Sequence, residues 1–380
     1  MYQSRIDFYE GMVESEQEWL VSLQQSNGAL AFTEVENGTI SIVPYFSSIT
    51  AIALLQKSLN VEYVDEVKAY FDWHFARLNN VKSDKTGTAG TIYNCTADVV
   101  NGVVVSEYNN QGYDSVDSYA ALYLMVLWNY YEQTGDAEYL IQHFSQIMAV
   151  IGAMNATIDN DGLSYYKPNG DVKYLMDNSE VYQGVLSAIK LLEQVFLPHF
   201  GKETKEYCEV EQVITHFHEI NSKQALAFDT ILWNDTEQRY EIGLNKEGTI
   251  LNFNSWKNFY PDAVAQLFPI IFGVIDSDST RAIKLYDTFG ENFEWQSMEH
   301  YNKGYIDFYW GLTAYCGALM HDEEKVYAYL NYYKNNVSPN HDYPAYNADG
   351  AWVVLASAEM NQYYKEQMQR IDPLGLVSVK

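Results

Sequence analysis

Gly112-Tyr113-Asp114-Ser115-Val116-Asp117-Ser118-Tyr119-Ala120-Ala121-Leu122 closes a long polar loop and opens a strongly apolar helix that runs to about Tyr131. Asp114, Ser115 and Asp117 fall in the expected first turn, where a helix start favours oxygen-bearing and anionic side chains. Read alone, the stretch is an N-cap at Asp114 with Asp117 as the acidic partner of a capping box. The arrangement recurs. A long loop followed by a carboxylate opening an apolar helix appears again at Asp177-Asn178-Ser179-Glu180, Tyr260-Pro261-Asp262, Tyr305-Ile306-Asp307 and Asn347-Ala348-Asp349. Capping accounts for each carboxylate but not for the length and aromaticity of the loops before them.

Outward from this stretch the periodicity predicts about twelve helices in two alternating kinds. Ile6–Gln24, Tyr63–Leu78, Ala137–Thr157, Glu203–Thr230, Ser279–Thr288 and Glu323–Lys334 are amphipathic or polar. Phe46–Leu59, Ser115–Tyr131, Glu180–Phe196, Asp262–Ile275, Asp307–Met320 and Asp349–Gln367 are apolar almost all round and so buried on most sides. Connections from apolar to amphipathic helix are short, as at Thr134-Gly135-Asp136 and His321-Asp322, whereas the return connections are long. Alternating antiparallel helices put consecutive loops on opposite faces. All the long loops therefore share one face with the N-termini of the apolar helices. The predicted fold is all-α: an (α/α)6 toroid, one domain over residues 1–370 with a tail at 371–380, carrying short strand pieces (Ala29–Phe32, Thr39–Val43) on the loop face. Loops this long in a compact domain are usually functional.

Composition narrows the chemistry. In 380 residues there are 33 Tyr, 17 Phe and 8 Trp, flat side chains with polar tips that suit both sugar rings and helix interfaces. A net charge of −28 argues against nucleic acid and against anionic membrane surfaces. No apolar run approaches the roughly 20 residues of a membrane span. Cys95, Cys208 and Cys316 are odd in number and far apart, and read as free thiols of a reducing compartment. The start Met1-Tyr2-Gln3-Ser4-Arg5 has no basic-then-apolar leader pattern. Cytoplasmic is the default expectation, and a secreted chain stripped of its leader would read the same.

Three pieces resemble the six-hairpin glycosidase superfamily of glucoamylase-like and unsaturated-glucuronyl-hydrolase-like enzymes: Pro44-Tyr45-Phe46 opening the first apolar helix, Asp114–Leu127 followed by Tyr130-Tyr131-Glu132-Gln133-Thr134-Gly135-Asp136, and Asp177-Asn178-Ser179-Glu180-Val181-Tyr182. The resemblance spans nearly the whole chain and assigns no single family; the Trp-Glu-Glu acid motif of glucoamylases is missing. It implies catalytic carboxyls at the starts of the second and third inner helices.

Glycosidic hydrolysis needs one protonated carboxyl to assist the leaving oxygen and one carboxylate to activate water or attack the anomeric carbon. The expected assignment is Glu180 as general acid and Asp117 as general base, with Asp114 holding a substrate hydroxyl and Asp349 in reserve as base, where glucoamylase-like enzymes place theirs. Asp177 joins them at the third inner helix, and Asp262 and Asp307 serve as caps or substrate contacts. Tyr45, Tyr113, Trp256, Tyr260, Trp295 and Tyr305 are the expected sugar platforms, while Trp19, Trp73, Trp128 and Trp233 read as core. The substrate expected is an oligosaccharide, with no cofactor and no metal. His216 and His218 sit two apart on a helix and point different ways, and Asp159-Asn160-Asp161-Gly162 lacks the spaced ligands of a calcium loop and reads as a turn. Two rival functions stand beside hydrolysis. A sugar epimerase or isomerase on the same barrel would need His300 and His341 in the bowl. A non-catalytic carbohydrate-binding protein would have every helix-start carboxyl satisfied as a cap.

Overall fold

A computed structural model of the chain describes residues 2–57 and 62–371. In order, its helices are α1 (Tyr2–Ser22), α2 (Pro44–Leu54), α3 (Val64–Phe75), α4 (Asp117–Thr134), α5 (Ala137–Gln142), α6 (Phe144–Asn155), α7 (Leu175–Leu191) and α8 (Leu197–His199). They continue with α9 (Lys205–Ala227), α10 (Phe268–Ile271), α11 (Thr280–Asn292), α12 (Glu299–Asn302), α13 (Leu312–Leu319), α14 (Glu323–Asn336) and α15 (Asn347–Ile371). Helices α2, α4, α7, α10, α13 and α15 each pack on the next, and α15 returns to α2, closing a ring. Outside it α1 lies on α15 and α2, α3 on α2, α6 on α4, α9 on α7, and α14 on α13 and α15. Phe289 of α11 meets Phe259 ahead of α10. This is the predicted all-α toroid.

The ring closes because its inner helices are apolar and locally small. In α2, Pro44 occupies the first turn and Ser47, Ile49, Ala51 and Ala53 are all buried. Between α4 and α7 a glycine permits close approach: a Cβ on Gly184 would lie 2.5 Å from Ala121 Cβ. The short turns are capped as their residues imply. Gly135 takes the left-handed conformation (φ 66°) that ends α4, and Asp136 then accepts from Tyr139 N to start α5. Asp322 does the same for α14 through Lys325 N.

Several predicted boundaries move. Helix α4 begins at Asp117, not Ser115, and Val116 takes the cap position with no side-chain bond. Asp114 is therefore outside the helix, exposed and not a cap. The Val116 N–H bonds instead to the Tyr166 carbonyl of the following loop, which fixes where the helix can start. Helix α7 starts five residues before Glu180, so Glu180 sits in its second turn and Asp177 in its first. The expected helix from Asp307 begins only at Leu312. Ahead of it the Tyr309 carbonyl is taken sideways by His300 and Tyr329, and Trp310 adopts a positive φ of 56°. Asp262 lies in a π-helical turn, Phe259–Ala263, interrupted at Tyr260. Helix α2 ends at Leu54, and the expected stretch on to Leu59 runs into residues 58–61, outside the described residues. The expected tail also lies outside them, save that Ile371 ends α15.

The loop 79–113 contains a β-hairpin that helical periodicity does not predict. Strands β2 (Cys95–Val100) and β3 (Val103–Asn109) form a hairpin, and β1 (Thr39–Ile42) pairs with β2 to complete an antiparallel sheet in the order β1-β2-β3. Asn101 and Gly102 make the turn with φ of 53° and 75°. An Asn-Gly pair between Val-rich runs is a hairpin signal that was available in the sequence. Two small pairings, β4 (Val172–Tyr174) with β7 (Gly243–Asn245) and β5 (Trp233–Asn234) with β6 (Arg239–Tyr240), brace other loops. Cys95, Cys208 and Cys316 are unpaired. No described helix is long and apolar enough to cross a membrane.

Candidate active site

The Ala121–Gly184 contact lies one helical turn beneath Asp117 on α4 and Glu180 on α7, and so brings these two carboxyls together. Asp117 is fully buried. Its Oδ1 accepts from the Ser118 N–H at 2.8 Å and its Oδ2 from the Ser164 hydroxyl at 2.7 Å. Ser164 is itself fixed by Asn178, whose Oδ1 accepts its N–H at 2.7 Å. Burial pushes the Asp117 carboxyl up to about 7 against the pull of these donors, with Asp114 adding to the rise.

Glu180 is buried and accepts a hydrogen bond from the phenol of Tyr45, which reaches it from α2. Burial raises its pKa to about 8; the Ser118 hydroxyl and the Tyr45 phenol pull downward and the neighbouring Asp117 pushes up. Asp177, half-buried, is held well above the ordinary carboxylate range by burial and by Asp117, Glu180 and Asp114. Four acids thus share one corner of the ring, and burial together with mutual repulsion favours the protonated forms of Asp117, Asp177 and Glu180.

In ring order α15 stands opposite α7. Asp349, in its first turn, is buried; Oδ1 accepts from the Gly311 N–H at 3.1 Å, and Oδ2 has no partner. Burial raises it to about 7, restrained by the backbone N–H groups of Gly311, Tyr309 and Trp310. Tyr346 lies close enough to Asp349 and to Tyr45 to feel both, so tyrosines bridge the two acidic sides. Tyr260, 46% exposed, tilts over Trp310 at 5.3 Å and lies within electrostatic reach of Asp177, Asp114 and Glu180. Tyr45, Tyr260, Asp114, Asp117, Asp177 and Glu180 lie near one another at this corner.

Other expected site residues lie elsewhere or are already engaged. Tyr113 is buried, stacks on Tyr93 at 5.3 Å, has the Lys85 ammonium against its ring and donates to Asp84, so it is packed rather than presented to a sugar. Trp295 is completely buried between Tyr286 and Tyr329 and is core. Asp262 is buried and folds its own loop: Oδ2 accepts from the N–H groups of Asn254 and Ser255 and from the Asn258 amide. Asp307 and Tyr305 stand exposed on the loop before α13, and Trp256 is half-buried against Phe253. Of the tryptophans read as core, Trp19, Trp73 and Trp128 are buried, while Trp233 is half-buried under Arg281.

The histidines carry structural contacts. His300 is buried against Phe259, bonds to the Tyr309 carbonyl and is lowered to about 4 by burial. His341 stacks on Trp19 and pairs with the buried Glu16. His216 reaches Asn155 and His218 reaches Glu193, on different neighbouring helices. Asp159 and Asp161 both bind the Lys173 ammonium, which makes their loop a salt-bridged turn. Among the described residues no group of three or more His, Cys, Asp or Glu side chains is arranged to hold a metal ion.

Sequence reasoning did not name Ser118, Ser164, Trp310 or Tyr346 as site residues. Ser164 meets Asp117 from 47 positions away, a pairing with no local signal. Tyr346 had one, since it precedes a helix-opening carboxylate by one turn.

No protein-family model and no curated protein matches the sequence. Solved structures do match in shape. A structure titled as a wild-type glycosidase overlays with a TM-score of 0.58 at 10% identity, covering 94% of this chain and 98% of its own. A GH63 mannosylglycerate hydrolase from Thermus thermophilus, in complex with glucose, gives 0.57 at 9% identity, covering 91% and 99%. A protein described as a novel alpha-amylase from Clostridium perfringens gives 0.53 at 11% identity, covering 92% and 98%. At such identities the likeness is one of fold alone, and it extends over almost the entire chain: these proteins share the double ring of helices described above.

Proposed function

We propose that the chain is a glycoside hydrolase that cleaves an oligosaccharide at the N-terminal mouth of the inner helices by carboxyl acid/base chemistry. The observation that carries this reading is the buried carboxyl corner at Glu180, bonded by Tyr45, set opposite the buried, half-satisfied Asp349. Glu180 is the general acid: at about 8 it keeps its proton at neutral pH for the departing glycosidic oxygen. Asp349 is the general base, with one oxygen free to take a proton from water as that water attacks the anomeric carbon. Asp117 moves from the expected role of base to that of a positioning group, because both its oxygens already accept protein donors. Asp114 and the half-buried Asp177 bind substrate hydroxyls, and Tyr260 with Trp310 offers an aromatic wall. Acid and base on opposite sides of the ring leave room for a water between them, which makes the reaction inverting, as a separation of roughly 6.5–9.5 Å would.

The fold neighbours titled as glycosidases, one in complex with glucose, support the same reading. The epimerase reading loses ground because His300 and His341 are committed to Phe259, Tyr309, Trp19 and Glu16. The binding-protein reading expected caps, yet neither α4 nor α7 has a side-chain cap.

The test is hydrolysis of a panel of aryl glycosides and oligosaccharides by wild type, Glu180→Gln, Asp349→Asn and Asp117→Asn. The first two substitutions should each cost at least ~10²-fold in kcat with the fold intact, and Asp117→Asn should cost less. A wild type that cleaves nothing on the panel, or a Glu180→Gln variant with an undiminished rate, overturns the proposal.

A further inference from the structure

A sizeable cavity lies away from the carboxyl corner. About 830 Å³ of space opens at the other end of the barrel, lined by the C-terminal halves of the inner helices. Its innermost lining residues, Ile49, Gln183 and Trp352, lie about one helical turn below Tyr45, Glu180 and Asp349. The floor of the proposed active site is therefore also the roof of a second chamber, large enough for a ligand of several rings.

Its lining has a definite chemistry. Trp352 and Tyr315 form a stacked pair at 5.5 Å and 28°. Gln183 is half-buried and Gln133 is exposed at the rim, and neither side chain has a hydrogen-bond partner among the described residues. Asn361 is 8% exposed and its Oδ1 is unpartnered. Glu132, Glu359 and Asp276 add acceptors, while Lys365 is tied to Glu10 at 2.9 Å. The C-terminal ends of the surrounding helices add partial negative charge. Lys57 adds one exposed ammonium at the rim, outnumbered by the three carboxylates, so an anion would meet net repulsion here. A simple cation could only donate, leaving the amide N–H groups unanswered, whereas hydroxyl groups both donate and accept.

We propose that this chamber is a second binding site, for a neutral polyhydroxylated ligand, and that it works independently of hydrolysis at the opposite mouth. Glucose, maltose and maltotriose titrated calorimetrically against wild type, Gln133→Ala, Gln183→Leu and Glu180→Gln test it. Two sites per chain are expected for at least one sugar. Gln183→Leu should weaken one of them about tenfold or more, as expected for a lost buried hydrogen bond, and Gln133→Ala, at the exposed rim, should weaken the same site by less while leaving aryl glycoside hydrolysis unchanged. A single site lost in Gln183→Leu and retained in Glu180→Gln would sustain this proposal and count against the hydrolase site. No binding of any of the three sugars, a single site lost only in Glu180→Gln, or a second site indifferent to both glutamine substitutions overturns it.

Discussion

Tyr45 and Glu180 come from different helices, and their contact sets how the acid titrates. With Asp349 at about 7 as base and Glu180 at about 8 as acid, kcat/KM should peak between these values. It should fall below about 7 as Asp349 takes up a proton, and above about 8 as Glu180 loses one. The Tyr45 phenol lowers the Glu180 pKa by donating to the carboxylate, so Tyr45→Phe should move the alkaline limb to higher pH and leave the acid limb in place. A pH–rate profile of both proteins reads this directly. An unmoved alkaline limb would assign it to another group. The carboxyls were legible in the sequence because anionic residues at helix starts are conspicuous; their division of labour was not. Ser164 donates to one Asp117 oxygen while Asp349 keeps one oxygen without a donor, and on the proposed reading that difference separates a positioning group from a base.

At the scale of elements, the site depends on how closely α4 and α7 approach. Gly184→Ala would gain helix propensity of about 1 kcal/mol but place its methyl 2.5 Å from Ala121 Cβ. Overpacking of this kind costs about 1–3 kcal/mol, and forcing the helices apart also separates Asp117 from Glu180. The expected outcome is a lower Tm and a reduced rate. Gly152 on α6 is the internal control, since a Cβ there meets nothing within 4 Å. Gly152→Ala should raise Tm and spare activity; thermal melts with parallel assays decide both. The elements themselves were largely readable. Helix-period apolarity gave the alternation, and glycine and aspartate marked the short turns. Boundaries were not readable where tertiary bonds intervene: Tyr166 holds the residue before α4, and His300 and Tyr329 take the Tyr309 carbonyl and delay α13.

For the whole molecule, buried acids make stability fall with rising pH. Asp117, Glu180 and Asp349 have folded-state values of about 7, 8 and 7 against ordinary values of 3.8, 4.5 and 3.8. The folded chain therefore binds more protons than the unfolded one across that window, and their contribution is lost as pH rises through 7–8. Asp84, Glu107, Asp136, Asp159 and Glu299 are shifted the other way, so their contribution is lost as pH falls through the acid range. Self-repulsion at a net charge of −28 also eases on mild acidification. Tm should be higher near pH 5.5 than at pH 8.5, and Glu180→Gln and Asp349→Asn should flatten that slope. An equal or higher wild-type Tm at pH 8.5 would show that these carboxyls do not hold their protons.

The toroid follows from the sequence alone, because alternating all-apolar and amphipathic helices joined by alternately long and short loops have few other ways to bury their faces. The placement of carboxyls at one mouth follows with it. Local pattern cannot report on groups that meet from distant parts of the chain. Only the tertiary structure sets Ser164 against Asp117 and Tyr45 against Glu180, buries Trp295 and Tyr113 and opens a chamber at the far end of the barrel. Burial and desolvation belong to the packed assembly rather than to any stretch of sequence, and it is they that decide which acid keeps its proton.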